Sequence, residues 1–406
     1  MNDQTLSDWT IYQDPKQSTF VQNPYSLYRE LHISGHPVFW ENYGFWCLPD
    51  FESVNRALRD KRFARLPPVG FENPPMPDHL NDFAAAEKYS LLALEPPEHS
   101  HIRKAVNHAF ISRNVGKMSE SIEALANSLI DRIEQKKTAE LLSSYARPIP
   151  VAIITRLLGV PESDGEQLVA WSHAMVRVYT LLQSTADEHA ANLAARDFQR
   201  YLQTIMNSKR QSPGDDLISI LLADQTLNEA QIISIAILLL NAGHEATVHQ
   251  LGNAIKTLLK QYPLNNRDAL LSLLRDDRSA DALVGECMRF DAPLHLFTRF
   301  AQTPVTLDNG ITLKAGEQVG LLLAAANRCP HKFQQADTFL PLRNDAAHLS
   351  LGAGIHYCVG AHLARLELRI GLQVLFDRLP KLSLAAEPQY QDTYHFHGLE
   401  ELQVNW

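Results

Sequence analysis

The chain has few cysteines and no recognisable export signal, and both absences limit where it works. It has 4 cysteines among 406 residues, and they lie far apart at Cys47, Cys287, Cys329 and Cys358. The N-terminal segment is polar and acidic, unlike a signal peptide or a membrane anchor. We therefore expect free thiols in the cytoplasm instead of a disulfide framework.

Long apolar runs, basic clusters, repeats and low-complexity linkers are also missing. The most apolar run, residues 232–240, is too short to cross a bilayer, so we expect no membrane partner. The formal net charge of −9, with scattered Lys and Arg, argues against nucleic acid as a partner. Without a linker to divide it, the chain is expected to form a single domain over residues 1–406.

Hydrophobic periodicity predicts a mainly α protein with small β-sheets. Helical patterns cover residues 24–34, 51–59, 101–109, 115–136, 151–158, 163–184, 185–209, 215–223, 227–261, 268–275, 280–290 and 360–379. Strands are predicted only for a hairpin at 305–313, which turns at Asn309-Gly310, and for residues 319–324. A capping box from Thr226 to Glu229 is predicted to open the long central helix, which stops before Pro263.

Cys358 is the most informative residue because a glycine-bearing loop delivers it to the start of an apolar helix. Gly352, Gly354 and Gly360 allow the backbone to approach a bulky group and to adopt positive φ where needed. The positive end of a helix dipole favours a thiolate over a thiol. A thiolate here serves as a nucleophile or a metal ligand, and a buried structural cysteine is the remaining alternative.

This segment resembles the haem-thiolate signature of the cytochrome P450 monooxygenases, Phe-x-x-Gly-x-x-x-Cys-x-Gly. Gly354, Cys358 and Gly360 match it, and Leu351 replaces the aromatic residue. The resemblance implies the cytochrome P450 fold, with a long central helix over haem b and Cys358 as the axial ligand of the haem iron. A thiolate ligand favours O–O cleavage, so the expected chemistry is oxygen activation.

The middle of the central helix resembles the oxygen-binding segment of that family. Gly243 and Glu245 match its Ala/Gly-Gly-x-Asp/Glu-Thr pattern, but Ala246 follows the acid and Thr247 comes one position late. The family's acid and threonine deliver protons, and one residue turns a helix by about 100°, so Thr247 cannot simply substitute. Local distortion, a water or substrate hydroxyl, or a peroxide-dependent route would each compensate, and we favour a water or the substrate.

Other residues acquire roles through the same resemblance. Four are expected to hold the haem propionates beside Gly352 and Gly360, namely His99, Arg103, Arg299 and His348. Glu286, Arg289 and Arg343 resemble the family's structural ion pairs, whereas Cys329 replaces a family acid and is interpreted as incidental.

The substrate pocket is expected to be apolar. Its residues would be Leu238, Ala242, Leu294, Phe297 and Phe396, together with parts of segments 71–92 and 175–182. No flavin or iron–sulfur segment is fused, so electrons would come from a ferredoxin or flavodoxin and its NAD(P)H reductase. The surface of this chain that docks the electron donor is expected to be a basic patch of Lys104, Arg113, Lys117 and Arg365.

The sequence thus predicts an enzyme that inserts one oxygen atom from O2 into an apolar organic substrate. A peroxygenase or a non-oxygenating haem-thiolate enzyme is the alternative that Ala246 keeps open. A haem-based gas sensor is the non-enzymatic alternative, disfavoured because no signalling or DNA-binding domain is attached.

Overall fold

The structure of the chain is a computed structural model that describes residues 9–71, 75–111, 114–179 and 184–406. Its α-helices are α1 (Ser18–Gln22), α2 (Tyr25–Ser34), α3 (Phe51–Arg59), α4 (Asn81–Glu87), α5 (Glu98–Ile111), α6 (Asn114–Asp131), α7 (Pro148–Leu158), α8 (Gly165–Val176), α9 (Thr185–Gln211), α10 (Leu217–Ala223), α11 (Glu229–Gln261), α12 (Arg267–Arg275), α13 (Asp277–Phe290), α14 (Leu323–Ala326) and α15 (Ala361–Arg378). Its strands are β1 (Thr10–Ile11), β2 (Val38–Trp40), β3 (Phe45–Leu48), β4 (Phe63–Ala64), β5 (Thr138–Glu140), β6 (Leu296–Ala301), β7 (Val305–Thr306), β8 (Thr312–Leu313), β9 (Gln318–Leu322), β10 (Ser383–Leu384) and β11 (Gln403–Asn405). The predicted class, mainly α with small sheets, is confirmed.

A six-stranded sheet joins distant parts of the chain in the order β1-β2-β3-β9-β6-β4. Strand β9 pairs in parallel with β3 and antiparallel with β6. At the edge, β4 pairs with β6 so that Ala64 lies opposite Phe300. The remaining strands form a three-stranded sheet, β10-β11-β5, and the expected hairpin β7-β8, with Gly310 at φ 83° in its turn.

The central helix α11 starts differently from the prediction. Its N-cap is Asn228, whose side chain accepts from the Gln231 N–H while the Gln231 side chain returns to the Asn228 N–H. The predicted box from Thr226 to Glu229 is wrong, because the Thr226 hydroxyl bonds to the Asp224 carboxylate instead.

Two other predicted elements are shorter than expected. The strand predicted at 319–324 ends at Leu322, and residues 323–326 form α14, since its three alanines favour a helix. The helix predicted at 163–184 ends at Val176 and continues only as a 3-10 turn, Arg177–Tyr179. Residues 180–183 lie outside the described residues.

Helix α11 forms the centre of the largest apolar core and contacts α7, α8, α13 and α15. By length and composition it passes as a membrane span, with a mean hydropathy of 1.3, but 78% of its most apolar window is buried within the fold. That burial is the behaviour of a core helix. Helix α15 packs against α11 and begins directly after the cysteine loop. The cysteine loop and the predicted oxygen-binding segment of α11 are therefore held by two helices that pack together.

Candidate active site

The loop that carries Cys358 is held by its own backbone. The Cys358 N–H donates to the Leu351 carbonyl at 2.9 Å, and Gly352 and Gly354 both have φ of 70°. A side chain at Gly354 would place its Cβ 2.3 Å from the Leu58 carbonyl oxygen. Glycine is therefore required there both by the left-handed backbone and by the close approach of α3.

The Cys358 sulfur is half-buried at the N-terminus of α15, next to two arginines. Burial raises the pKa of the Cys358 thiol, although the Gly360 N–H bonded to the sulfur and the charges of Arg103 and Arg365 all act to lower it. The Gly360 N–H and the two arginines thus favour the thiolate, as expected for a helix start, while burial acts in the opposite direction. Arg103 also donates to the Tyr357 carbonyl at 2.7 Å, which links α5 to the cysteine loop.

A histidine pair lies on the α5 side of this loop. His99 is buried, and neither of its ring nitrogens has a hydrogen-bond partner in the described part of the chain. Its ring lies 4.5 Å from that of His356, whose Nε2 is 3.3 Å from a Glu95 carboxylate oxygen. Burial, with the charges of His356 and Arg103, lowers the pKa of His99 to about 4.

Two arginines approach each other, Arg65 directly after strand β4 and Arg299 on the neighbouring strand β6. The Arg299 side chain donates to the Thr298 carbonyl at 2.8 Å, and Arg65 donates to the same carbonyl at 3.2 Å. Burial and the nearby charge of Arg65 lower the pKa of Arg299 to about 9. The Arg299 guanidinium has no ion-pair partner among the residues that the structure describes.

His348 has a different environment from His99. Its Nδ1 accepts from the Ser350 N–H at 3.3 Å, and its Nε2 lacks a partner within the described ranges. Burial, then the charges of Arg365 and Arg289, lower the pKa of His348 to about 3. The structure thus places His348 near Arg289 and Arg365. It places His356 beside His99, and the sequence analysis did not predict a role for His356.

The middle of α11 is accessible although the helix is buried on both sides of it. Ala242 is exposed, and Gly243, Glu245 and Ala246 are half-buried, between the buried segments 232–241 and 247–255. Exposure inside a buried helix means that this face borders an internal cavity or channel. The side of Gly243 that lacks a side chain lies against α7, where a Cβ would be 3.2 Å from Ile154.

Glu245 and Thr247 of this segment have different environments. The Thr247 hydroxyl is buried and donates to the Gly243 carbonyl of its own helix at 3.2 Å. Burial raises the pKa of Glu245, and one of its oxygens, Oε2, finds no partner in the described part of the protein. Glu245, not Thr247, is therefore the polar group beside the accessible face.

The predicted pocket residues are only partly brought together. Leu238 lies one turn before Ala242 on α11, and Leu294 forms an isolated bridge with Phe396. Phe297 instead lies next to the cysteine loop, 3.8 Å from where a Cβ on Gly352 would be. Residues 72–74 and 180–183 of the pocket segments lie outside the described residues, as do Arg113 and the Lys117 side chain of the predicted basic patch.

Glu286, Arg289 and Arg343 meet in a buried cluster. Arg289 donates to both Glu286 oxygens at 2.7 and 2.8 Å, and Arg343 donates to Glu286 at 2.9 Å. The three side chains are at most 3% exposed. Arg289 also donates to the Asn327 carbonyl at 2.8 Å, and the Asn327 amide bonds to Ser350 at 2.7 Å. The cluster therefore supports the segment that leads into the cysteine loop.

Cys329 lies apart from Cys358 and donates its S–H to Asp50, the N-cap of α3, at 3.2 Å. His331 brings a third donor to this pair, with all three ligand atoms within 4.8 Å.

The groups around the cysteine loop fit a flat cofactor that carries anionic substituents. His99, His348 and Arg299 are cationic or hydrogen-bond donors with unfilled capacity, and the accessible face of α11 provides a second wall. Unpaired buried polar groups are costly, and carboxylates would satisfy them. The haem that the sequence resemblance implies has this chemistry.

Comparisons with known proteins agree with this fit. The family model described as Cytochrome P450 matches residues 278–392. The chain is 32% identical over 404 residues to the biotin biosynthesis cytochrome P450 of Bacillus subtilis (strain 168), covering 98% of this chain and 100% of the relative. It is 33% identical over 401 residues to the cytochrome P450 monooxygenase PikC of Streptomyces venezuelae, covering 95% and 92%. A crystal structure of P450BioI, in complex with acyl carrier protein ligated to hexadec-9Z-enoic acid, has a TM-score of 0.88, 32% identity and coverage of 96% and 100%.

Proposed function

The chain belongs to the cytochrome P450 family of monooxygenases, and we propose that Cys358 is its axial thiolate ligand, that haem b is its cofactor and that residues 1–406 act as a single domain. The enzyme binds haem iron, an organic substrate and O2. The observation that carries the assignment of Cys358 is its glycine-bearing loop, which presents a half-buried sulfur to the Gly360 N–H and two arginines. When bound, a thiolate-ligated haem supplies oxygen activation and the transfer of one oxygen atom to the substrate.

The protein's contribution begins with holding that cofactor. We assign the propionates to the hydrogen-bond donors around the loop, namely the arginines Arg103 and Arg299 and the histidines His99 and His348, with Gly352 and Gly360 allowing close approach. Two further groups support this assignment by position: Arg65, which shares the Thr298 carbonyl with Arg299, and His356, whose ring contacts that of His99 at a tilt. The buried cluster of Glu286, Arg289 and Arg343 would keep the loop in register below it.

On the opposite wall, α11 would bind O2 and direct protons. Gly243 lets α11 lie close to α7, and Ala246 leaves space where the family carries threonine. The Thr247 hydroxyl is held by the Gly243 carbonyl, so Glu245 would orient a water or a substrate hydroxyl instead. The raised pKa of Glu245 supports this role, because burial favours the protonated form that can donate a proton.

The substrate would be apolar and would contact Leu238, Ala242, Leu294, Phe297 and Phe396. Relatives with similar identity are named for different substrates, including vitamin D(3) and mycinamicin IV, so the family does not specify one. A carrier-bound acyl chain is a second candidate, favoured by the match to a protein that was crystallised with such a complex. Hexadec-9Z-enoic acid, free and carrier-bound, is therefore the first compound to test.

Electrons would come from a cytoplasmic ferredoxin or flavodoxin and its NAD(P)H reductase. Lys104 is exposed on α5, and Arg365 lies near the start of α15, where its side chain donates to the Tyr357 hydroxyl of the cysteine loop. Reversing Lys104 to Glu is expected to slow reduction by a surrogate ferredoxin without changing substrate binding. Unchanged reduction would remove Lys104 from the docking surface.

The assignment of Cys358 is tested by the absorption spectrum of the dithionite-reduced protein with carbon monoxide. A strongly red-shifted Soret band that is lost in Cys358→Ala is expected. A Soret band at the position typical of histidine ligation would exclude Cys358 as the ligand. Turnover with NADPH and ferredoxin, compared with hydrogen peroxide, then separates a monooxygenase from a peroxygenase.

A further inference from the structure

The buried central helix carries a line of polar side chains along one face. Glu245, His249, Asn253, Lys256 and Lys260 follow one another at intervals of three or four residues on α11. Such spacing places them on one side of the helix, over a length of ~16 Å from Glu245 to Lys256. Polar groups are costly in a buried helix, so this line calls for a physical reason.

The outer end of the line reaches a surface cleft of about 280 Å³, lined by Lys256, Lys260, Asp291, Tyr390 and His397 among others. Lys256 bonds to Asp291 at 2.7 Å and to the Tyr390 hydroxyl, which itself donates to Asp291 at 2.6 Å. Burial raises the pKa of Asp291, but Lys256, His397 and these hydrogen bonds hold it at about 2. Asp291 is therefore a fixed anion at the inner wall of the cleft.

Behind the cleft, His397 lies between Asp291 and the helix. Its ring stacks on Tyr390 at 3.7 Å, and its Nε2 is 3.8 Å from an Asp291 oxygen. The residue is 1% exposed, yet neither ring nitrogen has a hydrogen-bond partner among the described residues. Its backbone is fixed, because the Asn253 amide donates to the His397 carbonyl at 2.8 Å.

At the inner end, His249 lies between His397 and the oxygen-binding segment. Its Nε2 is 3.9 Å from a Glu245 oxygen and is otherwise unpartnered in the described structure. Gly398, the residue after His397, contacts the His249 ring. A Cβ at Gly398 would lie 1.8 Å from His249 Nδ1. A glycine at 398 is thus what lets the His249 imidazole occupy this position.

We propose that His397 and His249 relay protons from the cleft, where Asp291 forms the inner wall, to Glu245 on the oxygen-binding face of α11. A neutral imidazole accepts a proton on one nitrogen and releases one from the other, so its charge is unchanged after each passage. Burial lowers the pKa of His249 and of His397 to about 4, so each ring is neutral between transfers. The gaps of 3.8 Å between Asp291 and His397 and 3.9 Å between His249 and Glu245 exceed a direct hydrogen bond, so a water or a small rotation must bridge them. The two histidines are brought together by Gly398, the residue after His397, which lies against the His249 ring, and a water would bridge this step as well.

This route rests on the proposed monooxygenase function, because oxygen insertion consumes protons. Substrate, O2, two electrons and two protons give hydroxylated product and water. When protons arrive too slowly, reduced O2 escapes as superoxide, and two superoxide ions with two protons from solvent give hydrogen peroxide and O2. If the line of polar side chains had only a structural role, it would stabilise the fold and leave the ratio of product to hydrogen peroxide unchanged.

The test is the yield of product per NADPH in His249→Leu and His397→Leu. Each is assayed with surrogate ferredoxin and reductase on hexadec-9Z-enoic acid, or on whichever screened compound gives the largest spin-state shift. We expect coupled product formation to fall at least about tenfold, with the electrons appearing as hydrogen peroxide. Turnover supported by added hydrogen peroxide should be retained, because that reagent already carries its protons.

His244→Leu is the matched control. His244 is also a buried histidine of α11, and its charge reaches His249, but its Nδ1 bonds to the Leu240 carbonyl and its ring neighbours His173 at 5.6 Å, so it is not a member of the proposed route. It should couple like the wild type. Where a leucine variant fails to fold, glutamine at the same position keeps a polar group that cannot relay a proton, and the same loss is expected.

The outcomes separate the two proposals. Wild-type coupling in the His249 and His397 variants, or an equal loss of ferredoxin-supported and peroxide-supported turnover, would overturn the route and leave the enzyme assignment intact. Absence of the thiolate-type carbon monoxide band in the wild type would instead overturn the proposed cofactor site first.

Discussion

Replacing Glu367 with glutamine should stabilise the protein, and increasingly so as the pH rises. Glu367 lies on α15 and is 3% exposed, and its Oε2 has no partner in the described structure. Burial raises the pKa of its carboxyl from 4.5 to about 8. The folded protein therefore keeps a proton that the unfolded chain releases.

The sign and size of the effect follow from that difference. Between pH 4.5 and 8 the unfolded chain binds fewer protons than the folded protein, so raising the pH favours unfolding. Each pH step in this window is worth ~1.4 kcal/mol, which gives a loss of about 3 kcal/mol at pH 7 and about 5 kcal/mol at pH 8. Glutamine has nearly the same shape and no charge, so it should remove this loss.

Urea unfolding of the wild type and Glu367→Gln at a series of pH values measures this difference. The two curves should coincide near pH 4.5 and diverge by about 3 kcal/mol at pH 7. Glu123→Gln, on the exposed face of α6, is the control and should leave the pH dependence unchanged. Parallel wild-type and Glu367→Gln curves over the whole range would show that Glu367 is ionised or solvated in the fold, and the reasoning would fail.

Three other substitutions have defined outcomes. Glu286→Gln leaves Arg289 buried without its anion, so the free energy of unfolding should fall by about 3–5 kcal/mol and haem loading should drop; a normally loaded, equally stable variant would contradict this. Gly398→Ala places a Cβ against the His249 ring and should lower stability by about 1–3 kcal/mol in thermal melts, unless the ring shifts without cost. Ala246→Thr should couple NADPH use to product no better than wild type; a poorly coupled wild type beside a well-coupled variant would refute water or substrate assistance.

The sequence located the elements that depend on local signals. Helix α3 spans Phe51–Arg59, as its periodicity predicts, and the hairpin turns at Asn309-Gly310. Local patterns failed where neighbours compete for the same hydrogen bond. At the start of α11, Thr226 and Asn228 both suit an N-cap, and the Asp224 carboxylate takes the Thr226 hydroxyl.

The six-stranded sheet was largely missed because its strands are short and their partners are distant in sequence. Pairing of Ala64 with Phe300 is what brings Arg65 beside Arg299, and no local pattern indicates it. His356 was closer to recognition, since it precedes Cys358 by two residues in the loop. The contact of its ring with His99, however, depends on how α5 packs against that loop.

By itself the sequence determined the helical class, since periodicity along one chain is enough for it. The cysteine loop and the ion-pair residues Glu286 and Arg289 followed from motifs that resemble a known family. Only the tertiary structure decided which charges meet. It places Arg103 and Arg365 beside Cys358, and it brings Gly398, the residue after His397, against the His249 ring. Desolvation and contact between distant segments set these properties, and both exist only once the chain has folded.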